Sequence, residues 1–140
     1  MRPMLLLLGL VLAAALAAAA VAAGGPAGSS GPTWHSSWFV SPTHNIHCRW
    51  WGDEALLACT TQNDDFMTAV TVWGKAWHRH NTAGYGFPSG PTLYYGETYT
   101  AYNASNRAVV RCWSRSTGMT CKSLMTGRGF FISREEYRLF

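Results

Sequence analysis

Two stretches decide how this chain is read: NIHCRWWGDEALLACTT, Asn45 to Thr61, and AVVRCWSRSTGMTCKS, Ala108 to Ser123. Each carries a cysteine on an outgoing run of aromatic and β-branched residues, a polar turn, and a second cysteine on the return. In the first the turn is Gly52-Asp53-Glu54; in the second it lies around Arg115 to Gly118. Folding each stretch about its midpoint sets Cys48 opposite Cys59 and Cys112 opposite Cys121. Strand alternation agrees, because residues two apart share a face. Ile46, Cys48 and Trp50 then point one way, with Leu57 and Cys59 joining them from the return strand. In the second hairpin Ala108, Val110 and Cys112 share a face with Met119 and Cys121. Arg107, Val109, Arg111, Trp113 and Arg115 face the other way. Four cysteines allow three pairings, and the hairpins select Cys48–Cys59 and Cys112–Cys121.

Outside these hairpins, glycines and prolines are spaced too closely for long helices. The intervening residues have the composition of short strands joined by turns. TAVTVWGKAW (Thr68 to Trp77) and TLYYGETYTAY (Thr92 to Tyr102) each suggest one further strand, and HNTAGYGFPSGP (His80 to Pro91) reads as a loop. The single helical signal is Ser133-Arg134-Glu135-Glu136, which resembles a capped helix start over Ser133 to Tyr137. The fold class is therefore mainly β: a small single-domain antiparallel sheet or barrel of disulfide-stapled hairpins, with at most short helices.

The N-terminus reads as an export signal. Arg2 supplies a positive charge, Leu5 to Ala23 contains no polar side chain, and Gly24-Gly25-Pro26 ends any helix. Small residues at Ala20-Val21-Ala22 and Val21-Ala22-Ala23 suit signal-peptidase cleavage. An uncleaved apolar segment of this length would instead anchor the chain in a membrane. The domain reading is a signal peptide over 1–23, a flexible Gly/Ser/Pro linker over 24–33, and a secreted β-rich domain over 34–140. An exported chain with four cysteines implies two disulfides in an oxidising compartment. Charge is uneven. Residues 24–97 hold three basic and five acidic side chains, whereas 98–140 hold seven and two. A basic C-terminal third favours an anionic partner.

No constellation carries chemistry by spacing alone. Each cysteine has a hairpin partner, so none reads as a nucleophile. Ser133 lacks the flanking glycines of a nucleophile elbow. His44 with His47, and His78 with His80, offer ligand pairs without a third ligand at a familiar spacing, so no metal site is assigned. No cofactor is implied. Aromatic residues are the anomaly: seven Trp, six Tyr and six Phe, all beyond the apolar leader. Trp34, Trp38, Trp51 and Trp113 are candidates for an exposed stacking platform, and Trp113 lies between Arg111 and Arg115, which suits an anionic or stacked ligand. The competing reading is that aromatics build the core of a small domain and a second layer covers that face. Candidate binding residues are thus Trp51, Arg111, Trp113 and Arg115.

Four stretches, FVSPTHNIHC (Phe39 to Cys48), LYYGETY (Leu93 to Tyr99), VVRCWSRSTGMTC (Val109 to Cys121) and GRGFFISREEYRLF (Gly127 to Phe140), resemble a family of small exported actinobacterial proteins of unknown function. That family has a Ser-Pro-x-Gly-Asn-Ile-x-Cys start, a Tyr-Gly element, a Gly-x-Thr-Cys hairpin and a Gly-His-Gly-Phe-x-x-Ser-Arg ending. This chain departs at His44, where glycine is usual, and at Arg128, where histidine is usual. It also lacks the additional cysteine pair that many members carry mid-chain. The resemblance implies export and a fold, and no activity. The function expected is a non-catalytic extracellular or cell-wall-associated binding domain, with an anionic or glycan polymer of the cell envelope as partner. No obligate nucleic acid is expected, and membrane contact only through the signal segment. The alternatives are a small secreted hydrolase, ribonuclease- or glycan-hydrolase-like, and a membrane-anchored surface protein if the signal is retained.

Overall fold

A computed structural model describes residues 36–62 and 64–140. The expected signal peptide over 1–23, the expected linker over 24–33 and Trp34 lie outside the described residues. The described residues form ten strands. The first sheet holds β1 (Trp38–Val40), β2 (Ile46–Trp51), β3 (Leu56–Thr61), β4 (Phe66–Thr71) and β5 (Ala76–His80). The second holds β6 (Thr98–Tyr102), β7 (Ala108–Arg115), β8 (Gly118–Ser123), β9 (Gly129–Ile132) and β10 (Tyr137–Leu139). Each sheet is an antiparallel meander in which neighbours in sequence are neighbours in space.

The two halves correspond strand for strand. One cross-strand row of the first sheet reads Phe39, Cys48, Cys59, Thr68, His78. The matching row of the second reads Tyr99, Cys112, Cys121, Phe130, Leu139. Both cystines therefore link the second and third strands of their meander, as the hairpin reading required. Both point inward. The sheets pack face to face, with β4 against β8 and β9, and the sulfurs of Cys59 and Cys121 lie 4.0 Å apart at the centre. Phe39 and Tyr99, which hold equivalent positions, meet with ring centroids 4.4 Å apart. Burial pushes the Tyr99 phenol up to about 12. Leu57, Val70, Val110, Met119 and Ile132 belong to the same core. Ser123 fastens the sheets by donating its hydroxyl to the Val72 carbonyl at 2.5 Å.

Three expectations give way. Thr68 to Trp77 is not one strand but the end of β4, a turn and the start of β5; the turn closes where Gly74 sits against the Thr71 side chain too tightly for a Cβ. Val109 does not face outward with Arg111. The pairing of β6 with β7 skips it, Ala101 opposing Val110 and Tyr102 opposing Ala108, and this bulge buries Val109 beside Val110. No helix forms at Ser133 to Tyr137. Only four residues separate β9 from β10, so the chain must turn back at once, and Tyr137 pairs with Ile132. Ser133 still satisfies backbone donors as a cap would: its hydroxyl accepts from the amides of Glu135 at 3.2 Å and Glu136 at 3.1 Å.

Candidate functional site: a basic, aromatic sheet face

The two sheets differ in what covers their outer faces. Over the first, residues 81–91 fold back as a lid. The Asn81 side chain donates to the Tyr85 carbonyl and accepts from its amide, both at 2.9 Å. Tyr85 and Phe87 then sit edge-on to Trp51, at 4.9 and 5.5 Å. Leu56, Ala58, Met67 and Ala69 are buried beneath them as a second small core. The Tyr85 hydroxyl donates to Glu54, a bond that raises its pKa. Trp51, a candidate from the sequence, is thus half-buried under this layer, with the Arg49 guanidinium 5.0 Å from its ring.

The outer face of the second sheet carries a groove instead, between the half-buried rings of Trp113 and Phe131. There the register aligns Trp113, Thr120, Phe131 and Arg138 in one row, and Arg111, Lys122 and Gly129 in the next. A small residue between two large rings makes a groove. Thr120 is its floor, and Trp113 and Phe131, two strands apart and so about 10 Å from each other, are its walls. Its volume is about 290 Å³, and Arg115, Thr117 and Arg138 complete its lining. Gly118 is required here: a Cβ would fall 2.7 Å from the Phe131 ring and 2.5 Å from the Ile132 carbonyl oxygen. Cations sit against both rings. Lys122 Nζ is 5.7 Å from the Trp113 centroid, and Arg138 Cζ is 4.5 Å from that of Phe131. Arg111 is steadied by donating from Nε to Thr100 Oγ1 at 3.3 Å. None of the lining groups is a carboxylate; Glu136 approaches Arg138 from the turn at 3.5 Å.

The structure therefore brings Arg111, Trp113 and Arg115 onto one open face and leaves Trp51 on the other sheet. Thr120, Lys122, Phe131 and Arg138 belong with the former and escaped the sequence reading. The first two follow from the Cys112–Cys121 register, which sets Thr120 opposite Trp113 and Lys122 opposite Arg111. Phe131 and Arg138 needed the β9–β10 hairpin, which the expected helix concealed.

A second cleft, of about 220 Å³, opens at the end of the sandwich. Each of the four stretches quoted for the resemblance supplies part of its wall: Asn45, Tyr95, Thr117 and Glu135 among them. His44, in the first stretch, adopts φ 59°, a left-handed conformation natural to glycine. A third set of groups joins the sheet edges: His78 stacks on Tyr137 at 3.6 Å and on Phe66 at 5.3 Å, and its Nδ1 lies 2.7 Å from the buried Thr68 hydroxyl. Burial lowers the His78 pKa, with Asp64 acting the other way. Among the described residues no group of three or more His, Cys, Asp or Glu could hold a metal ion.

Comparison of the chain with protein families, with characterised proteins and with solved structures finds no match in any of the three.

Proposed function

We propose that this chain is a secreted, non-catalytic binding domain whose second sheet presents its outer face to an anionic polymer of the cell envelope. The observation that carries this reading is the uncovered groove between Trp113 and Phe131, edged by Arg115 and Arg138 and free of carboxylates in its lining. Flat rings offer apolar area, and the cations beside them attract and orient negative groups. Two buried cystines are typical of proteins in oxidising, extracytoplasmic surroundings. No helix among the described residues is long and apolar enough to cross a membrane. His78 bonds to the hydroxyl of Thr68, which is fully buried, and this suits a structural bond.

The test is retention of the purified protein on isolated cell wall and on immobilised anionic polymers, at rising salt. Binding is expected to weaken as salt screens the exposed cations. Paired substitution Arg115→Ala with Arg138→Ala should lower it further without changing the unfolding midpoint by much. Retention on none of these supports, or retention indifferent to both salt and the paired substitution, would overturn the proposal.

A further inference from the structure

We infer that a second copy of this chain pairs with β6, edge to edge, and joins the second sheets of two domains into one. Each sheet ends in two edge strands, β1 and β5 in the first, β6 and β10 in the second. A bare edge offers unpaired backbone groups to any other strand, and folded domains blunt it with charge, shortness or a covering segment. Three of the four edges are blunted in these ways. The chain beyond the lid runs beside β1, where the Val40 amide donates to the Pro91 carbonyl at 3.0 Å and the Val40 carbonyl accepts from the Leu93 amide at 2.8 Å. β5 carries Arg79 and two histidines. β10 has three residues, with Arg138 in the middle. β6 is different. Its sequence, Thr-Tyr-Thr-Ala-Tyr, holds no charge and no proline, and its one strand neighbour among the described residues is β7.

The hydrogen bonds at the two ends of β6 fix which of its backbone groups face outward. The Glu97 carbonyl accepts from the Ser114 amide at 3.1 Å, and the Asn103 amide donates to the Arg107 carbonyl at 3.0 Å. Bonded and non-bonded positions alternate along an antiparallel strand, and the bulge lies in β7, so the alternation in β6 is intact. Tyr99 and Ala101 therefore bond to β7, while Thr98, Thr100 and Tyr102 turn their amides and carbonyls outward. These three residues make a ladder centred on Thr100. Under a two-fold axis there, Thr100 meets Thr100 of the second copy, Thr98 meets Tyr102, and Tyr99 meets Ala101. Thr–Thr and Thr–Tyr are favourable cross-strand neighbours, and the large Tyr99 side chain falls beside the small Ala101. The strand is complementary to itself run backwards, which selects a second copy over an unrelated strand. Charge agrees. Glu97 precedes β6 and Arg107 stands across the turn at its far end, so the axis sets the acidic end of each strand beside the basic end of the other. A pair of this kind closes on itself and uses up the exposed edge. Directly opposed residues share a face, and Thr98 and Thr100 lie opposite Trp113 and Arg111. Both grooves thus open on the same side of the joined sheet.

Sedimentation equilibrium of the purified protein over a range of concentrations tests this and should report twice the mass of one chain. Thr100→Pro removes one outward amide and none of the bonds to β7, so it should return the mass to that of one chain with the unfolding midpoint little changed. Mild oxidation tests the register. In Thr100→Cys the introduced thiols meet across the axis, with α-carbons about 5.5 Å apart, and should link the two copies covalently. In Tyr102→Cys the same atoms lie about 14 Å apart and should not. A parent protein that stays at the mass of one chain at every concentration overturns the inference. A dimer that survives Thr100→Pro overturns it too, because the contact then lies on another surface. Cross-linking of Tyr102→Cys as fast as Thr100→Cys refutes the axis through Thr100. If the proline variant loses its fold, the two cysteine variants decide the matter between them.

Discussion

Removing one cystine at a time measures how the two halves share the stability of the domain. The sequence separations are 11 for Cys48–Cys59 and 9 for Cys112–Cys121. Closing loops of that size in the unfolded chain corresponds to about 2.8 and about 2.6 kcal/mol. Replacing each pair with alanine also deletes two buried sulfurs, which adds about 1 kcal/mol. Each variant should therefore lose roughly 3–4 kcal/mol, a large part of the stability of a domain this size, and melt on the order of 15 °C lower. The losses should be nearly equal because the loops are. They should not be independent. The Cys59 and Cys121 sulfurs touch at 4.0 Å, so removing both cystines loses that contact once, and the combined cost should fall short of the sum by about 0.5–1 kcal/mol. Urea unfolding followed by tryptophan fluorescence measures all three variants; strong reduction of the parent opens both loops while keeping the sulfurs, and so separates the loop-closure cost from the loss of buried atoms. A loss below about 1 kcal/mol for either single pair would refute the loop-closure reasoning, and strict additivity would refute the central packing of the two bridges.

The strained turn before β2 gives a second expectation: His44→Gly should stabilise the domain by about 0.5–1 kcal/mol, since relief of the left-handed strain outweighs the entropy glycine adds to the unfolded chain. A loss of stability in chemical unfolding would contradict the role given to φ at this position. Gly118→Ala should cost about 2 kcal/mol or more, because the added carbon meets the Ile132 carbonyl and the Phe131 ring at a φ of 148°; a neutral outcome would mean that β8 and β9 separate freely. For His78 the folded-state pKa lies below 6.5, so the folded protein binds a proton less readily than the unfolded one. Stability should be complete above that unfolded value and decline as pH falls from it through the lower folded value. A His78→Phe variant should lose this dependence, which pH-resolved thermal melts would reveal; an unchanged profile would assign the titration elsewhere.

Much of the sheet structure was legible because it is local. A cysteine with a partner about ten residues away, on runs that alternate with period two, has few ways to pair. That is why the cystine registers and the inward faces of β2, β3 and β8 could be read directly. The errors lie where a neighbour outside the segment decides. Val109 is buried because β6 pairs across it with one residue fewer, and nothing in Arg107 to Arg115 announces that bulge. Ser133-Arg134-Glu135-Glu136 has the side chains of a helix start, yet the pairing of Tyr137 to Leu139 with β9 takes the chain back before a helical turn can form.

The site divides in the same way. Strand parity alone sets Trp51 and Trp113 off the cystine face of their hairpins, and by sequence the two are equivalent. Tertiary structure separates them. Residues 81–91 cover Trp51 with Tyr85 and Phe87, whereas the half-buried Trp113 walls a groove. Alternation within a strand reports which side chains share a face; it carries no information about which distant segment returns to bury that face. The hairpins, their cystines and the basic surplus of the last third were written locally in the chain. Which of two similar sheets keeps a groove on its outer face was decided only when the loops were laid over the folded sandwich.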